Sequence, residues 1–365
     1  MVAAGRLPVL AITLGDPAGV GPEVALAALA KPRRLRCRPV LIGDPEIVEN
    51  RARLVGLSPT IDVRSADDLI RGDVPSARGL TVVPPKGAPL RVAQRRPGRP
   101  TCAGARHAYA SICTAVELAR AGTIDALCTA PVNKEWFARA GVARTGHTEI
   151  LGELSGAADV RMMMAVDDLR VVLATIHVPF GQIIRRLSVE GITRTIEATA
   201  GYLQRWWKIQ RPHIAVAGLN PHAGDGGVYG DEEARLVVPA LRRARRRGMD
   251  VSGPHPPDTL FSALGPRADA YVALYHDQGL IPIKQRDVHR AVNITLGLPF
   301  VRTSPDHGTA YALAGTGRAR PESMREALAL ALRLAPVHDG GSQAGTRTDR
   351  PRVERGARGA KKRKN

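Results

Sequence analysis

The sequence predicts an α/β protein of two lobes. Its 365 residues exceed the size at which one hydrophobic core keeps growing, so two lobes are expected. Short runs rich in Val, Ile, Leu and Ala recur along it, each closed by Gly, Pro or polar residues, and several lead into segments of helical spacing. Residues 270–317 set His276, Asp277, Lys284, Asn293, Arg302, Asp306 and His307 beside such runs. Open α/β sheets put their chemistry at strand ends.

Taken in order, residues 7–14 read as a strand and 15–23 (GDPAGVGPE) as the loop after it. A helix follows over 22–30, with Pro22 in a tolerated first-turn position. Glycines there allow backbone N–H groups and a helix start to approach an anion, and a tight strand-to-helix turn explains them equally well. The spacing is not GxGxxG, so the dinucleotide-binding fingerprint is absent. Residues 39–42 form a second strand ending in Gly43-Asp44-Pro45, and 61–63 and 80–83 are short strands. Residues 94–100 (QRRPGRP) read as a loop. Ala105, Ala108, Ile112 and Val116 recur at helical spacing within 101–121, and Gly122 stops that helix.

Residues 124–130 are the next strand, ending in Pro131-Val132-Asn133-Lys134-Glu135, and Gly146-His147-Thr148-Glu149 opens a helix. Residues 162–166 and 171–176 pair as a hairpin about Asp167-Asp168, the second strand ending at His177. The amphipathic helix over 188–207 carries Trp206 and Trp207 as packing residues. Residues 214–218 form a strand that ends in LNPHAGDGG. The helix expected over 230–247 begins with acids and ends with bases, which suits its dipole; Arg242 to Arg247 are therefore a solvated helix end rather than a nucleic-acid patch. Residues 271–275 form a strand that stops at a polar turn, His276-Asp277-Gln278-Gly279. A last helix spans 322–334, and the Gly-, Arg- and Lys-rich residues 338–365 are a basic disordered tail.

Composition narrows the function classes. The hydrophobic content of 44% is ordinary for a globular protein. No apolar run is long enough to span a bilayer, and the N-terminus passes straight into a strand, against a signal peptide. Four cysteines without a CxxC pair read as reduced residues of a cytoplasmic protein. Of the net charge of +19, the tail from Arg347 contributes +7, with nine basic residues against two acids. At 4% aromatic residues a stacking platform for single-stranded nucleic acid is not expected, and the basic balance favours acidic ligands.

His177, His222 and His276 each follow an apolar strand and precede Pro or Gly. Imidazoles from three strand ends can converge on one divalent cation and leave positions open for substrate. Such a metal acts as a Lewis acid on a bound hydroxyl. Asp258 and Asp277 can orient ligands or take protons, or simply cap turns. Lys284 and Arg302 are cations in apolar or Pro-rich surroundings, where charge-assisted bonds suit a phosphate. His147 and Thr148 at a helix start add donors, and Asn293 a further hydrogen bond. The set implies a small phosphorylated substrate that chelates a metal.

The segments ITLGDPAGVGPE, TAPVNKE, GHTE, LNPHAGDGG, PPDTLF, YHDQGLIPIK and NITLGLPFVRTSPDHGTA together resemble the 4-hydroxythreonine-4-phosphate dehydrogenases of vitamin B6 synthesis, from about residue 7 to 334. The resemblance implies a homodimer with a two-lobed fold like that of isocitrate and isopropylmalate dehydrogenases, which bind NAD without a Rossmann fingerprint. The first lobe would comprise 1–130 and 295–337, and the second, 131–294, most metal and substrate ligands. His177, His222 and His276 match the family's ligands for a divalent metal (Zn, Mg, Co or Mn), in a site at the dimer interface built from both subunits. His147, Thr148, Lys284, Asn293 and Arg302 match its substrate-binding positions. Because related folds bind nucleotide with a late loop, Asp306, His307, Gly308 and Thr309 are the candidate NAD or NADP contacts.

The implied reaction is NAD(P)-dependent oxidation of 4-phosphohydroxy-L-threonine at C3, followed by decarboxylation to 3-amino-2-oxopropyl phosphate. Similar enzymes act on 4-phospho-D-threonate or 4-phospho-D-erythronate in sugar-acid catabolism, and others on aromatic dihydrodiols. Lys284 and Arg302 favour a phosphorylated substrate over a dihydrodiol. A phosphate acyltransferase of the same broad fold is a further class, for which the three histidines need no metal. Residues 285–291 (QRDVHRA) depart from the family pattern beside Lys284, and Ile176 stands where Thr commonly precedes the first metal histidine.

Overall fold

Runs such as Val9–Thr13, buried at every residue, cannot face water on either side and pair as the interior of a parallel sheet. The computed structural model describes residues 6–30, 35–143 and 146–336; the expected tail at 338–365 lies outside them. The strands are β1 (Val9–Thr13), β2 (Arg38–Ile42), β3 (Ile61–Val63), β4 (Leu80–Val83), β5 (Ala126–Thr129), β6 (Arg161–Val166), β7 (Leu169–Leu173), β8 (His213–Ala217), β9 (Asp250–His255), β10 (Ala270–Ala273), β11 (Val292–Leu296) and β12 (Val301–Pro305). They form a 12-stranded sheet in the order β3-β4-β2-β1-β5-β12-β11-β6-β7-β10-β8-β9. Residues Leu7–Pro336 make one compact unit.

Strand direction changes in the middle of this sheet. β3, β4, β2, β1, β5 and β12 run parallel. β11 is antiparallel to both β12 and β6, and β6 to β7. From β7 onward β10, β8 and β9 are parallel again, opposite in sense to the first block. Helices cover both faces. Leu10 and Ile12 pack with the helices Gly21–Leu29 and Glu322–Leu334, and Val9 and Ala11 pack with Cys102–Arg120. In the second block Ile214, Val216 and Val272 pack with Val189–Trp206 and Val238–Arg246.

The mixed α/β architecture is as the sequence predicts, and the helix over 322–334 lies where expected. The four cysteines are free, and Arg243 pairs with Glu190 at 2.6 Å at a solvated helix end. Several elements differ. The polar turn expected at His276–Gly279 is the first turn of a helix, His276–Asp287. Gly279, expected as part of the turn, instead lets the helix lie close against β7, since a Cβ there would sit 2.7 Å from Leu173 Cδ2. That helix also carries the divergent residues 285–287, and Arg286 and Arg290 pair with Asp168 at 3.0 Å and Asp167 at 2.9 Å. The helix expected over 230–247 opens with a π turn, Glu233–Val237, before Val238–Arg246. Pro239, which lacks an N–H, accounts for the change of hydrogen-bonding pattern. β9 was not anticipated because it contains Gly253 and Pro254, which the sheet tolerates only at its edge. The helices Pro45–Leu54 and Lys134–Arg139 also went unforeseen, although Asp44 and Asn133 cap them by accepting from Ile47 N at 3.1 Å and Trp136 N at 3.0 Å.

Candidate active site

The candidate site lies on the face of the sheet where strand direction reverses. Cross-strand partners share a face, and β11 pairs Asn293 with Ser304 and Met164, a register that sets Thr295 against Met162. Arg302 and Ser304, two apart on β12, therefore share a face with Asn293 and Thr295. On the next element His276, Leu280 and Lys284 recur every four residues on one helix face. The C-terminal end of β12 continues into Asp306–Gly308, and the segment after β7 adds His177. His147 and Thr148 open the helix His147–Ser155, whose first N–H groups lack intrahelical partners. A cavity of about 400 Å³ is lined by His147, Thr148, His177, His276, Lys284, Asn293, Arg302, Asp306, His307 and Gly308, which suits a small metabolite.

Arg302 is the floor of this cavity. It is 2% exposed, and its Nε and Nη2 donate to Thr129 Oγ1 at 3.1 and 2.5 Å while Nη1 donates to Thr295 Oγ1 at 2.9 Å. No carboxylate among the described residues pairs with it. Burial pushes its guanidinium down to about 10, with Cys128 and Tyr202 opposing, so it stays charged at neutral pH. Lys284 Nζ lies 3.5 Å from Asp306 Oδ2, an ion pair longer than a hydrogen bond. Burial raises the Asp306 carboxyl, against the lowering influence of Lys284. Burial, then Arg302 and Lys134, hold His147 well below the ordinary histidine range, so its ring is neutral.

Four polar atoms around the cavity are buried without a hydrogen-bond partner: His147 Nε2, Asn293 Oδ1, Asp306 Oδ2 and His307 Nε2. Buried polar groups are almost always paired. Four around one cavity mark a place for a polar ligand that can donate to Asn293 Oδ1 and Asp306 Oδ2, while the arginine without a carboxylate suits an anionic group on that ligand.

Two of the three expected metal histidines come together. Thr175 donates from N and Oγ1 to Leu274 O at 3.2 and 2.7 Å, tying the segment after β7 to that after β10. The His177 and His276 ring centres are 5.7 Å apart, and two imidazoles on one cation place them roughly 5–6 Å apart. Burial, then Lys134 and His276, lower the pKa of His177, which favours the neutral, ligating form. His276 Nδ1 donates to Asp277 Oδ1 at 2.7 Å, a second-sphere contact that leaves Nε2 its lone pair. The residues present thus fit a divalent cation. His222 does not join them within one chain: no group of three His, Cys, Asp or Glu suited to a metal occurs among the described residues. It is exposed on the loop after β8, with its ring 6.0 Å from that of Tyr229.

The remaining expected residues separate. Asp277 lies outside the cavity and reaches it through His276. Asp258 is exposed in a turn and does not line the cavity. Thr309 is buried and does not line the cavity, its carbonyl accepting from Val20 N at 2.9 Å. The loop at 15–20, open between anion binding and turn geometry, thus packs under the late loop, and Asp16 accepts from Tyr311 Oη at 2.6 Å. Sequence reading passed over Thr129 and Thr295, which look like ordinary strand residues, and Lys134, Glu149 and Ser304, which line the cavity.

The chain matches the family described as pyridoxal phosphate biosynthetic protein PdxA over residues 35–331. It is 44% identical over 344 residues to 4-hydroxythreonine-4-phosphate dehydrogenase of Geobacter metallireducens, covering 93% of this chain and 98% of that protein. Among solved structures, a 4-hydroxythreonine-4-phosphate dehydrogenase from Burkholderia phymatum superposes with a TM-score of 0.79 at 39% identity, covering 91% of this chain and 100% of that one. A terephthalate 1,2-cis-dihydrodiol dehydrogenase from Burkholderia xenovorans gives 0.63 at 30% identity, over 90% and 98% of the two chains.

Proposed function

The chain belongs to the PdxA family of 4-hydroxythreonine-4-phosphate dehydrogenases, and on that premise we propose how its residues carry out the family reaction. The enzyme oxidises the C3 alcohol of 4-phosphohydroxy-L-threonine with NAD(P)⁺, and the β-keto acid loses CO₂ to give 3-amino-2-oxopropyl phosphate in pyridoxal 5′-phosphate synthesis. The observation that carries the assignment of residues is the buried Arg302, which meets no carboxylate among the described residues and lies on a cavity with further unpaired polar atoms.

The substrate phosphate binds Arg302, with Lys284 and the amide and hydroxyl donors of His147 and Thr148 closing on its other oxygens. Charge-assisted bonds of this kind contribute about 1.5–3 kcal/mol each. Asn293 hydrogen-bonds the substrate through its free Oδ1. His177 and His276 hold a divalent metal (Zn, Mg, Co or Mn), and Asp277 fixes the tautomer of His276. When bound, that metal supplies Lewis acidity to the C3 oxygen during oxidation and decarboxylation. Asp306, His307 and Gly308, with Thr309 beneath them, face the nucleotide.

His222 completes the metal set from a second copy of the chain. The loops bearing His177 and His222 expose Phe180, Val228 and Tyr229, at 79%, 72% and 51%, an apolar surface suited to such a homodimer. The two lobes read from the resemblance, 1–130 with 295–337 and 131–294, would join at β11 and β12 within the one compact unit Leu7–Pro336, with the site beside that junction. No helix among the described residues is long and apolar enough to cross a membrane, and a cytoplasmic enzyme is proposed.

The test is formation of reduced nicotinamide by metal-loaded protein, with 4-phosphohydroxy-L-threonine and 4-phospho-D-threonate run side by side. Turnover of the amino acid alone is expected. Turnover of the sugar acid alone would move the enzyme to catabolism and overturn the assignment.

A further inference from the structure

The loop after β8 contains a left-handed helical turn. His222 (φ 53, ψ 26), Ala223 (56, 38), Gly224 (85, −11), Asp225 (43, 57) and Gly226 (65, 15) occupy the left-handed region in succession. Three of the five carry a Cβ, which this conformation drives against the following carbonyl. Such a run persists only where its surroundings over-determine it.

One side chain holds the entry to this turn. Glu233 is 5% exposed and opens the π turn beyond the loop. Its Oε1 accepts from Leu219 N and Asn220 N, both at 2.7 Å, and its Oε2 from Asn220 Nδ2 at 3.0 Å. The left-handed turn folds back over this carboxylate. A Cβ on Gly224 would lie 2.8 Å from Glu233 Oε2, and a Cβ on Gly218 would lie 2.8 Å from Ala223 Cα. The base of the loop is tied to the His276 helix, because Gln278 donates to Gly218 O and accepts from Leu274 N, both at 2.7 Å.

We propose that Glu233 is a positioning residue: by holding the amides of Leu219 and Asn220 it imposes the left-handed turn that presents His222, without itself touching metal or substrate. The spacing Asn220, His222, Gly224, Glu233 is then one device, in which glycine makes room for the carboxylate and the carboxylate holds the turn. Burial opposes ionisation of Glu233, but its amide donors outweigh it and the carboxyl titrates below the ordinary range. The acceptor is therefore charged at neutral pH. This assignment rests on reading His222 as a metal ligand, and two measurements keep the two ideas apart.

The first needs no metal. Hydrogen exchange at the amides of Leu219 and Asn220 is expected to accelerate at least about tenfold in Glu233→Ala and to stay near wild type in Glu233→Gln, which keeps one acceptor oxygen. Unchanged exchange in Glu233→Ala overturns the positioning role outright. The second follows cobalt(II) binding by visible absorption in the full-length protein. Loss of an outer-sphere support lowers metal affinity about tenfold to a hundredfold, and that loss with an altered cobalt spectrum is expected for Glu233→Ala, with recovery in Glu233→Gln. Wild-type affinity and spectrum in Glu233→Ala would overturn the link from Glu233 to the site. If His222→Ala binds cobalt as wild type does, the metal reading of His222 fails instead, and the exchange data alone decide what Glu233 holds.

Discussion

Replacing Arg302 by methionine separates what the arginine does for the fold from what it does for the substrate. Arg302 is buried, and three of its five N–H donors serve Thr129 and Thr295. Burial lowers its pKa to about 10, which corresponds to something on the order of 3 kcal/mol held against the empty protein, at about 1.4 kcal/mol per tenfold in the acidity constant. Methionine is unbranched and fills a similar path without charge. The two threonine hydroxyls lose a donor, at about 1 kcal/mol each, so the net change in stability is small or favourable, as for other buried charges replaced by apolar groups. The substrate loses two charge-assisted bonds, about 3–6 kcal/mol, or roughly a hundredfold to ten-thousandfold in kcat/KM. The assay is nicotinamide reduction with the phosphorylated substrate and with its unphosphorylated counterpart, beside a thermal melt. A loss confined to the phosphorylated compound, with an unchanged or higher Tm, is expected. A loss below about threefold, or an equal loss for both compounds, would refute the role of Arg302 in reading phosphate. A collapse of Tm would refute the desolvation argument.

Two other outcomes follow from groups of different kinds. His276→Ala is expected to lower bound metal and turnover together while leaving Tm within a few degrees, since the side chain is 37% exposed; wild-type metal content by elemental analysis would remove the paired-imidazole site. His107 is buried with Nδ1 on Ala88 O at 2.8 Å, and burial lowers its pKa, against the raising influence of that bond. The folded state therefore keeps it neutral while the unfolded chain takes up a proton below about pH 6.5. Its contribution is full above that value and fades as pH falls toward the folded pKa, by up to about 1.4 kcal/mol per pH unit. Denaturant melts of wild type and His107→Gln should therefore converge on acidification, and a constant gap between about pH 7 and pH 5 would contradict this.

Much of the site was legible because its residues sit in short, chemically unusual phrases. A lysine after GLIPI, an arginine between FV and TSPD and a histidine opening GHTE each put a polar group where an apolar one was due, and all three line the cavity. What stayed hidden depends on partners distant in sequence. Thr129 and Thr295 acquire their role only when β12 pairs with β5 and β11. Gly279 reads as part of a polar turn, yet it lies in a helix whose close approach to Leu173 and Val171 requires a glycine there. The three-histidine pattern was legible, while the left-handed turn that carries His222 leaves no trace in periodicity. Strand order was likewise out of reach, since it follows from which faces the helices cover.

The reversal of strand direction at β11 has a consequence for folding. The cavity draws on residues from Lys134 to Gly308, and its floor exists only once β12 has joined β5 and β11 has been laid between β12 and β6. Pairings so distant along the chain close large loops and form slowly. Secondary structure and much of the two blocks can therefore be regained while the floor is still open. Recovery of activity during refolding should lag behind recovery of helix content, so catalysis reports completion of the central strands, and a fragment ending before residue 300 should be well structured in part and inert.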